Sequence, residues 1–372
     1  MRPPKSLYVA AGVCALGLAL VPATVSAQGH SSAAAESSLK IAFIITDPLS
    51  GSAWTQAWQT AREQLEHTLH VRTTAVGPLP ENNQVAAQAN DLIAKGYDVI
   101  VAEDIAYQPF LHPIAKSHPD VRFIITGPNI EKPLPNIATV YGNLWQARYV
   151  EGVLAGLMTK TNKLGFVTAH TIPSVVAGIN GFELGAQSVN PKATTIVIET
   201  GQWYDPAGST QAAETLAARG CDVIAQHEDD TGALLGARQA HVWDMGSEAD
   251  TSVVAPKTYL SGSVYHWGPY LIAQIRAMEN GTWKAADYSG DLKSGLVGLG
   301  PINPAVPAKV IAKVKATIAD IDDGAIEVFK GPVDYNTGKV MVPAGKTLRG
   351  PGQIYPKQNG FVRGVIGNVK AG

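Results

Sequence analysis

The chain has 372 residues, 45% of them hydrophobic and only 16% charged, with 29 basic against 31 acidic side chains and a formal net charge of −2. That near-neutral balance excludes a protein that grips nucleic acid by bulk positive charge. The apolar share excludes wholesale disorder, and the length predicts two or three domains whose many glycines and prolines mark turns between short elements.

The N-terminus comes first. Arg2 and Lys5 precede an apolar run from Leu7 to Val21, and Val25-Ser26-Ala27 follows with small residues. This is the pattern of a secretory signal peptide cleaved near Ala27, and it predicts a soluble exported protein, periplasmic or otherwise exported. The competing reading is a membrane anchor, for which the run is shorter than the ~20 residues of a spanning helix. A lipoprotein signal built on Cys14 is disfavoured by Val13, where such a box wants Gly or Ala. Cleavage would leave Cys221 as the lone cysteine, so no intrachain disulfide is expected. Cys221 enters an apolar strand and reads as a buried, inert thiol. Residues 28–38 are Ser/Ala-rich and read as a flexible leader.

Strands and helices then alternate. Ile41 to Ile45 reads as a buried parallel strand, Thr55 to Leu69 as a helix, Val71 to Val76 as a strand. Asn83 to Lys95 is a helix ending at Gly96, and strands follow at Asp98–Ala102 and Arg122–Thr126. The alternation restarts after Tyr141. Helices are predicted at Trp145–Thr159 and Val175–Ser188, and strands at Gly165–Ala169 and Thr195–Glu199. Asp205-Pro206 supplies an N-cap and a proline at the first position of a helix that runs to Arg219, with Gly220 beyond it. Tyr259 to Val264 is a further strand. Such alternation predicts parallel sheets covered on both faces.

Leu92-Ile93-Ala94-Lys95-Gly96-Tyr97-Asp98-Val99-Ile100 matches Leu216-Ala217-Ala218-Arg219-Gly220-Cys221-Asp222-Val223-Ile224. Helix-to-strand junctions share such features by default, but the match also fits two similar α/β lobes. Ligands of open α/β sheets bind beyond the carboxyl ends of the strands. The loops there are Asp47–Thr55, Glu103–Tyr107, Gly201–Asp205, Gln226–Thr231 and Tyr265–Trp267. Three carry a tryptophan: Trp54, Trp203 and Trp267. Trp58, Trp243 and Trp283 read as core packing. Aromatic faces with a few polar groups suit a heteroaromatic base, and equally a sugar stacked on tryptophan.

The order of Trp54-Thr55, the stretch Asn143 to Gly152, the stretch Gly178 to Ala186, Trp203-Tyr204-Asp205-Pro206 and Trp267-Gly268-Pro269-Tyr270 resembles the basic-membrane-protein family of solute-binding proteins. The resemblance runs from about Lys40 to Pro332. It implies a type I periplasmic-binding-protein fold and delivery of a purine nucleoside or base to the membrane subunits of an ABC importer. The second half is similar to an adenine-binding branch. The family's two stacking aromatics match Trp54 and Trp203, and its asparagine after the first matches Thr55. The aspartate and lysine that hold ribose in nucleoside binders are replaced by Gly246 and Tyr265. These replacements imply a free base in place of a nucleoside.

No Gly-x-Ser-x-Gly elbow, phosphate loop, His-Glu-x-x-His or paired-cysteine zinc spacing occurs. His227-Glu228-Asp229-Asp230 is the one dense polar cluster, readable as a metal site, a carboxylate pair or ligand hydrogen bonding. An exported purine nucleosidase and a sensor for another polar ligand such as a sugar are the alternatives. A transcription factor of this fold would need a DNA-binding helix pair where the signal stands.

The expectation is therefore an α/β protein of two doubly wound parallel-sheet lobes joined by a multi-strand hinge. Lobe I is 39–142 plus 265–296, lobe II is 143–264 plus 297–345, and 346–372 is a C-terminal tail whose part from Pro351 to Gly372 carries turn signals and is expected on the surface. Ligand contacts are expected from Trp54, Thr55, Tyr107, Trp203, Asp230, Tyr265 and Trp267. No catalytic residue, metal, cofactor or nucleic acid is expected, and the protein should be a monomer.

Overall fold

The structure, a computed structural model, describes residues 39–369. The expected signal peptide and leader, with Cys14, lie outside the described residues, as does the end of the tail. In chain order the elements are β1 (Ile41–Ile44), α1 (Ala53–Leu69), β2 (Thr73–Val76), α2 (Gln84–Ala94), β3 (Val99–Ala102), α3 (Gln108–Ser117), β4 (Arg122–Thr126) and β5 (Ile137–Gly142). Then come α4 (Leu144–Met158), β6 (Lys163–Thr168), α5 (Pro173–Val189), β7 (Thr194–Glu199), α6 (Pro206–Ala218), β8 (Val223–His227), α7 (Gly232–Gln239), β9 (Trp243–Gly246) and β10 (Tyr259–Tyr265). The chain finishes with α8 (Trp267–Glu279), β11 (Asp287–Gly290), β12 (Val297–Leu299), α9 (Ala308–Asp322), β13 (Val333–Asp334), β14 (Val340–Val342), α10 (Gly350–Ile354) and β15 (Val365–Ile366).

Two sheets carry the architecture. The first runs β2-β1-β3-β4-β5-β11, with every neighbour parallel. The second runs β15-β7-β6-β8-β9-β10-β12, parallel except for the β10–β12 pair. The first five strands of each in chain order, β1–β5 and β6–β10, follow the same doubly wound order. In β1, Ile41 and Phe43 join one apolar cluster while Ala42 and Ile44 join another. A parallel strand is apolar on both faces because helices cover both. Here Trp58 of α1 and Leu271 of α8 cover one side, and Val85 of α2 and Leu111 of α3 cover the other.

The matched nine-residue segments occupy equivalent places, ending α2 into β3 and α6 into β8. Gly96 and Gly220 both take left-handed backbone, with φ of +77° and +89°. In each, the next residue's N–H reaches back to the helix, Tyr97 to Leu92 O and Cys221 to Leu216 O, both at 3.1 Å. These bonds satisfy helix-end carbonyls, which only a positive-φ residue allows. Cys221 is buried and free, with its thiol pushed up to about 11 mainly by burial.

The chain crosses between sheets three times, from β5 into α4, from β10 into α8, and from β11 to β12. Helices α4 and α5 meet backbone to backbone: a Cβ at Gly152 would fall 1.9 Å from Phe182 O, and one at Gly185 2.0 Å from Tyr149 O. The last segment corrects the expected surface tail. Phe361, Val362 and Val365 are buried, and β15 extends the second sheet beside β7. Short apolar pairs among turn signals conceal a strand of two residues.

Candidate functional site

A cavity of about 540 Å³, counting its mouth, lies between the two sheets. Its wall is built from residues at or just beyond the carboxyl ends of successive strands. Trp54 follows β1, Glu103 follows β3, Thr126 ends β4, and Tyr141 lies near the end of β5. From the second lobe come Ile172 after β6, Trp203 after β7, His227 and Asp229 at the end of β8, Glu248 after β9, and Tyr265 closing β10. Asp104, Ile105 and Gly127 complete it.

Trp54 stands in the first turn of α1, where Ser52 caps the helix by accepting from Thr55 N at 3.1 Å. Its indole N–H donates to Glu103 O at 3.1 Å, which fixes the ring against the wall. Behind it, Trp58, Trp267 and Tyr265 form a stacked column with centroid spacings of 4.7 and 4.4 Å. Trp54 meets all three edge-on, the preferred arrangement of aromatic quadrupoles. Across the cavity, Trp203 packs edgewise on His170 at 5.2 Å, and its carbonyl accepts from Asp229 N at 2.9 Å.

Of the seven expected ligand contacts, Trp54, Trp203 and Tyr265 line the cavity. The other four do not line it. Trp267 is fully buried between Trp58 and Tyr265. Tyr107 is fully buried in the first lobe, its hydroxyl donating to Leu79 O at 2.6 Å. Thr55 lies behind the wall and donates to Asp47 O at 3.3 Å. Asp230 spends its carboxylate on Asp205 N at 2.8 Å, Ser209 Oγ at 3.1 Å and Gly232 N at 2.7 Å, joining the starts of α6 and α7. A loop position next to a strand end does not show which way a side chain turns, so sequence could not separate these. Tyr141, Thr126, Gly127, Ile172 and Glu248 lie outside the loops expected from sequence. The available signal was the same strand-end rule applied to loops that carry no tryptophan.

The acidic cluster divides by direction. His227 and Asp229 face the cavity, Glu228 accepts from Thr200 Oγ1 at 2.9 Å, and Asp230 holds the helix starts. Among the described residues, no group of three or more His, Cys, Asp or Glu is placed to hold a metal ion. None of the described cavity-lining residues is Lys or Arg. Arg148 sits behind the wall, fully buried, paired with Glu151 at 2.8 Å and donating to Ser247 Oγ at 2.8 Å.

Burial dominates the wall's titration. It pushes Glu103, Asp229 and Glu248 well above the usual carboxylate range, with Arg148 opposing the shift at Glu248. It raises Asp104 to about 6 and holds His227 well below the usual imidazole value, with Arg148 adding to that. The wall is therefore polar but weakly charged near neutrality. Glu103 Oε2 and His227 Nδ1 are buried with no hydrogen-bond partner. Such a surface receives a neutral, flat molecule that both donates and accepts hydrogen bonds.

Two similar α/β lobes around an aromatic, polar cavity define a ligand-binding protein of the type I periplasmic-binding class. The fold is that of a solute-binding protein of an ABC transporter system from Conexibacter woesei, with a TM-score of 0.67 at 22% identity, covering 77% of this chain and 97% of that one. The model of the Bmp family, described as ABC transporter substrate-binding protein PnrA-like, matches residues 38–325, and the chain belongs to that family. Its members are transporter binding proteins, not enzymes. A purine-binding protein of Brucella abortus is 33% identical over 334 residues, 89% of this chain and 94% of that protein. A putative ABC transporter glucose-binding protein of Haloferax volcanii is 31% identical over 325 residues, 86% of this chain and 78% of that protein.

Proposed function

We propose that this chain is an exported binding protein that encloses a purine base of the adenine type between its lobes and presents it to an ABC importer. The observation that carries the reading is one cavity with Trp54 from the first lobe, Trp203 from the second, and two unpartnered buried groups, Glu103 Oε2 and His227 Nδ1, in the same wall. A purine offers two π-faces to the rings, and its ring N–H, exocyclic amine and ring nitrogens match a donor-seeking carboxyl and an imidazole nitrogen. The purine-binding relative from Brucella abortus supports it.

The free base is favoured over the nucleoside. The replacement of a ribose-holding aspartate by Gly246 is built in, because a Cβ there would fall 2.3 Å from Thr251 Oγ1 and 3.0 Å from the Tyr259 ring. Tyr265 adds an aromatic wall where a flexible lysine is expected in nucleoside binders. Trp54 and Trp203 belong to different lobes, so a ring held between them favours the closed arrangement through its differential affinity.

Calorimetry with adenine, adenosine and glucose on the purified mature chain tests this. Adenine is expected to bind more tightly than adenosine, and glucose not at all. Tighter binding of adenosine overturns the free-base reading. Binding of glucose alone, as the Haloferax volcanii relative's name would suggest, overturns the purine reading.

A further inference from the structure

We propose that closing the lobes on a ligand takes up one proton, shared between Asp47 of the first lobe and Asp229 of the second, so that ligand and proton are bound together. The proposal rests on reading the cavity as a ligand site that the lobes close.

The two carboxyl groups are brought together by backbone contacts between the lobes. Ala53 N donates to Asp229 O at 2.6 Å, and Ser52 pairs with Asp230 as an isolated antiparallel bridge. Ser52 Oγ also donates to Asp47 Oδ2 at 3.3 Å, which holds Asp47 at this seam. Asp47 and Asp229 lie within hydrogen-bonding reach of one another, and Asp229 also reaches Glu248. Two carboxyl groups can hydrogen-bond only if one of them carries a proton. Glu248 is 2% exposed and lines the cavity, and its Oε2 has no hydrogen-bond partner. One proton on the aspartate pair supplies the hydrogen that joins Asp47 to Asp229.

The surroundings offer no cheaper neutralisation. Glu103, Asp104 and Asp230 add carboxyl groups of the same sign nearby. Arg148 is already committed to Glu151 and Ser247. His227 Nε2 stands 3.8 Å from Glu248 Oε1, and burial keeps that imidazole neutral. Burial raises both aspartates in the closed form, and the charges of Glu248 and Asp47 raise Asp229 further. When the lobes part, Asp47 and Asp229 face water and return toward the ordinary value of about 4. The proton then leaves to solvent, two carboxylates remain, and no other bond is made or broken.

The sign follows from linkage. A carboxyl that is raised in the closed form favours closure fully below its open-form value and progressively less as pH rises through its closed-form value. Affinity should therefore fall by up to about tenfold per pH unit across that window.

Adenine binding should be measured calorimetrically between pH 6 and 8 in buffers of different ionisation enthalpy. The expected result is uptake approaching one proton per adenine. Asp47→Asn, a residue outside the cavity wall, should abolish the uptake and flatten the pH dependence, because the amide donates permanently where the shared proton stood. No net uptake by the wild-type chain overturns the proposal, and so does uptake that persists in Asp47→Asn. If adenine gives no binding at all, the purine reading has failed instead. The pair is then read with whichever of adenosine or glucose binds, in the same buffers. Proton uptake that is lost in Asp47→Asn supports the proposal, and binding without uptake overturns it.

Discussion

Trp54 and Trp267 illustrate how little a residue's identity says about its role. Both stand in the first turn of a helix that follows a strand, and both belong to the same aromatic cluster, yet one faces the cavity and the other is sealed inside. Alanine substitution should separate them. Trp54→Ala and Trp203→Ala should each weaken adenine binding by ~1–3 kcal/mol, the measured worth of base–aromatic stacking elsewhere, with circular dichroism unchanged. Trp267→Ala should instead lower stability by ~3–5 kcal/mol, as for other large core aromatics. Thermal melts and calorimetry on the three variants distinguish the two effects. Wild-type affinity in both cavity variants would assign those rings to packing. Glu103 and His227 were legible as cleft-loop residues, but their unpartnered atoms follow from what surrounds them, which no local pattern carries.

At the scale of elements, caps and turns were the most legible features. Asp205 caps α6 through Gly208 N at 3.1 Å with Pro206 at its first position, as the Asp-Pro pair predicted. Helix α3 was not predicted, because Pro109 and Pro113 interrupt its pattern. A proline in the first turn lacks only an N–H that has no helical partner anyway, whereas Pro113 removes one interior bond. Asp230 joins two elements that are separate in sequence, the starts of α6 and α7. Asp230→Ala leaves those donors buried without an acceptor and should cost about 1–3 kcal/mol in urea unfolding. Unchanged stability would show that water replaces the carboxylate there.

Over the whole molecule, buried acids should govern how stability depends on pH. Burial raises Asp104 to about 6, Glu183 and Asp244 to about 7, and Glu228 to about 9. Each is raised above its unfolded value, so its contribution is full below about pH 4 and is lost as pH rises through the folded value. The buried His227 and the more exposed His266 are both lowered by desolvation, so they act oppositely, costing stability only as pH falls below about 6.5. Between pH 6.5 and 9 the acids act alone. The melting temperature should fall across that range, and Glu228→Gln should flatten its alkaline part. A melting temperature that rises from pH 6.5 to 9 would contradict this account.

The sequence by itself determined the alternation of strands and helices, the doubled α/β architecture and the loops in which the site would lie. Those features depend on local periodicity, on caps and on glycine at positive φ, all of which short segments carry. Tertiary structure alone decided which side chains of those loops face the cavity. It turned Asp230 toward two helix starts, sealed Tyr107 and Trp267 in the core, and drew residues 365–366 into the second sheet. It also brought Asp47 against Asp229 across the seam between the lobes. A charge's environment is set by neighbours distant in the chain, so the titration of those two carboxyl groups exists only once the lobes have met.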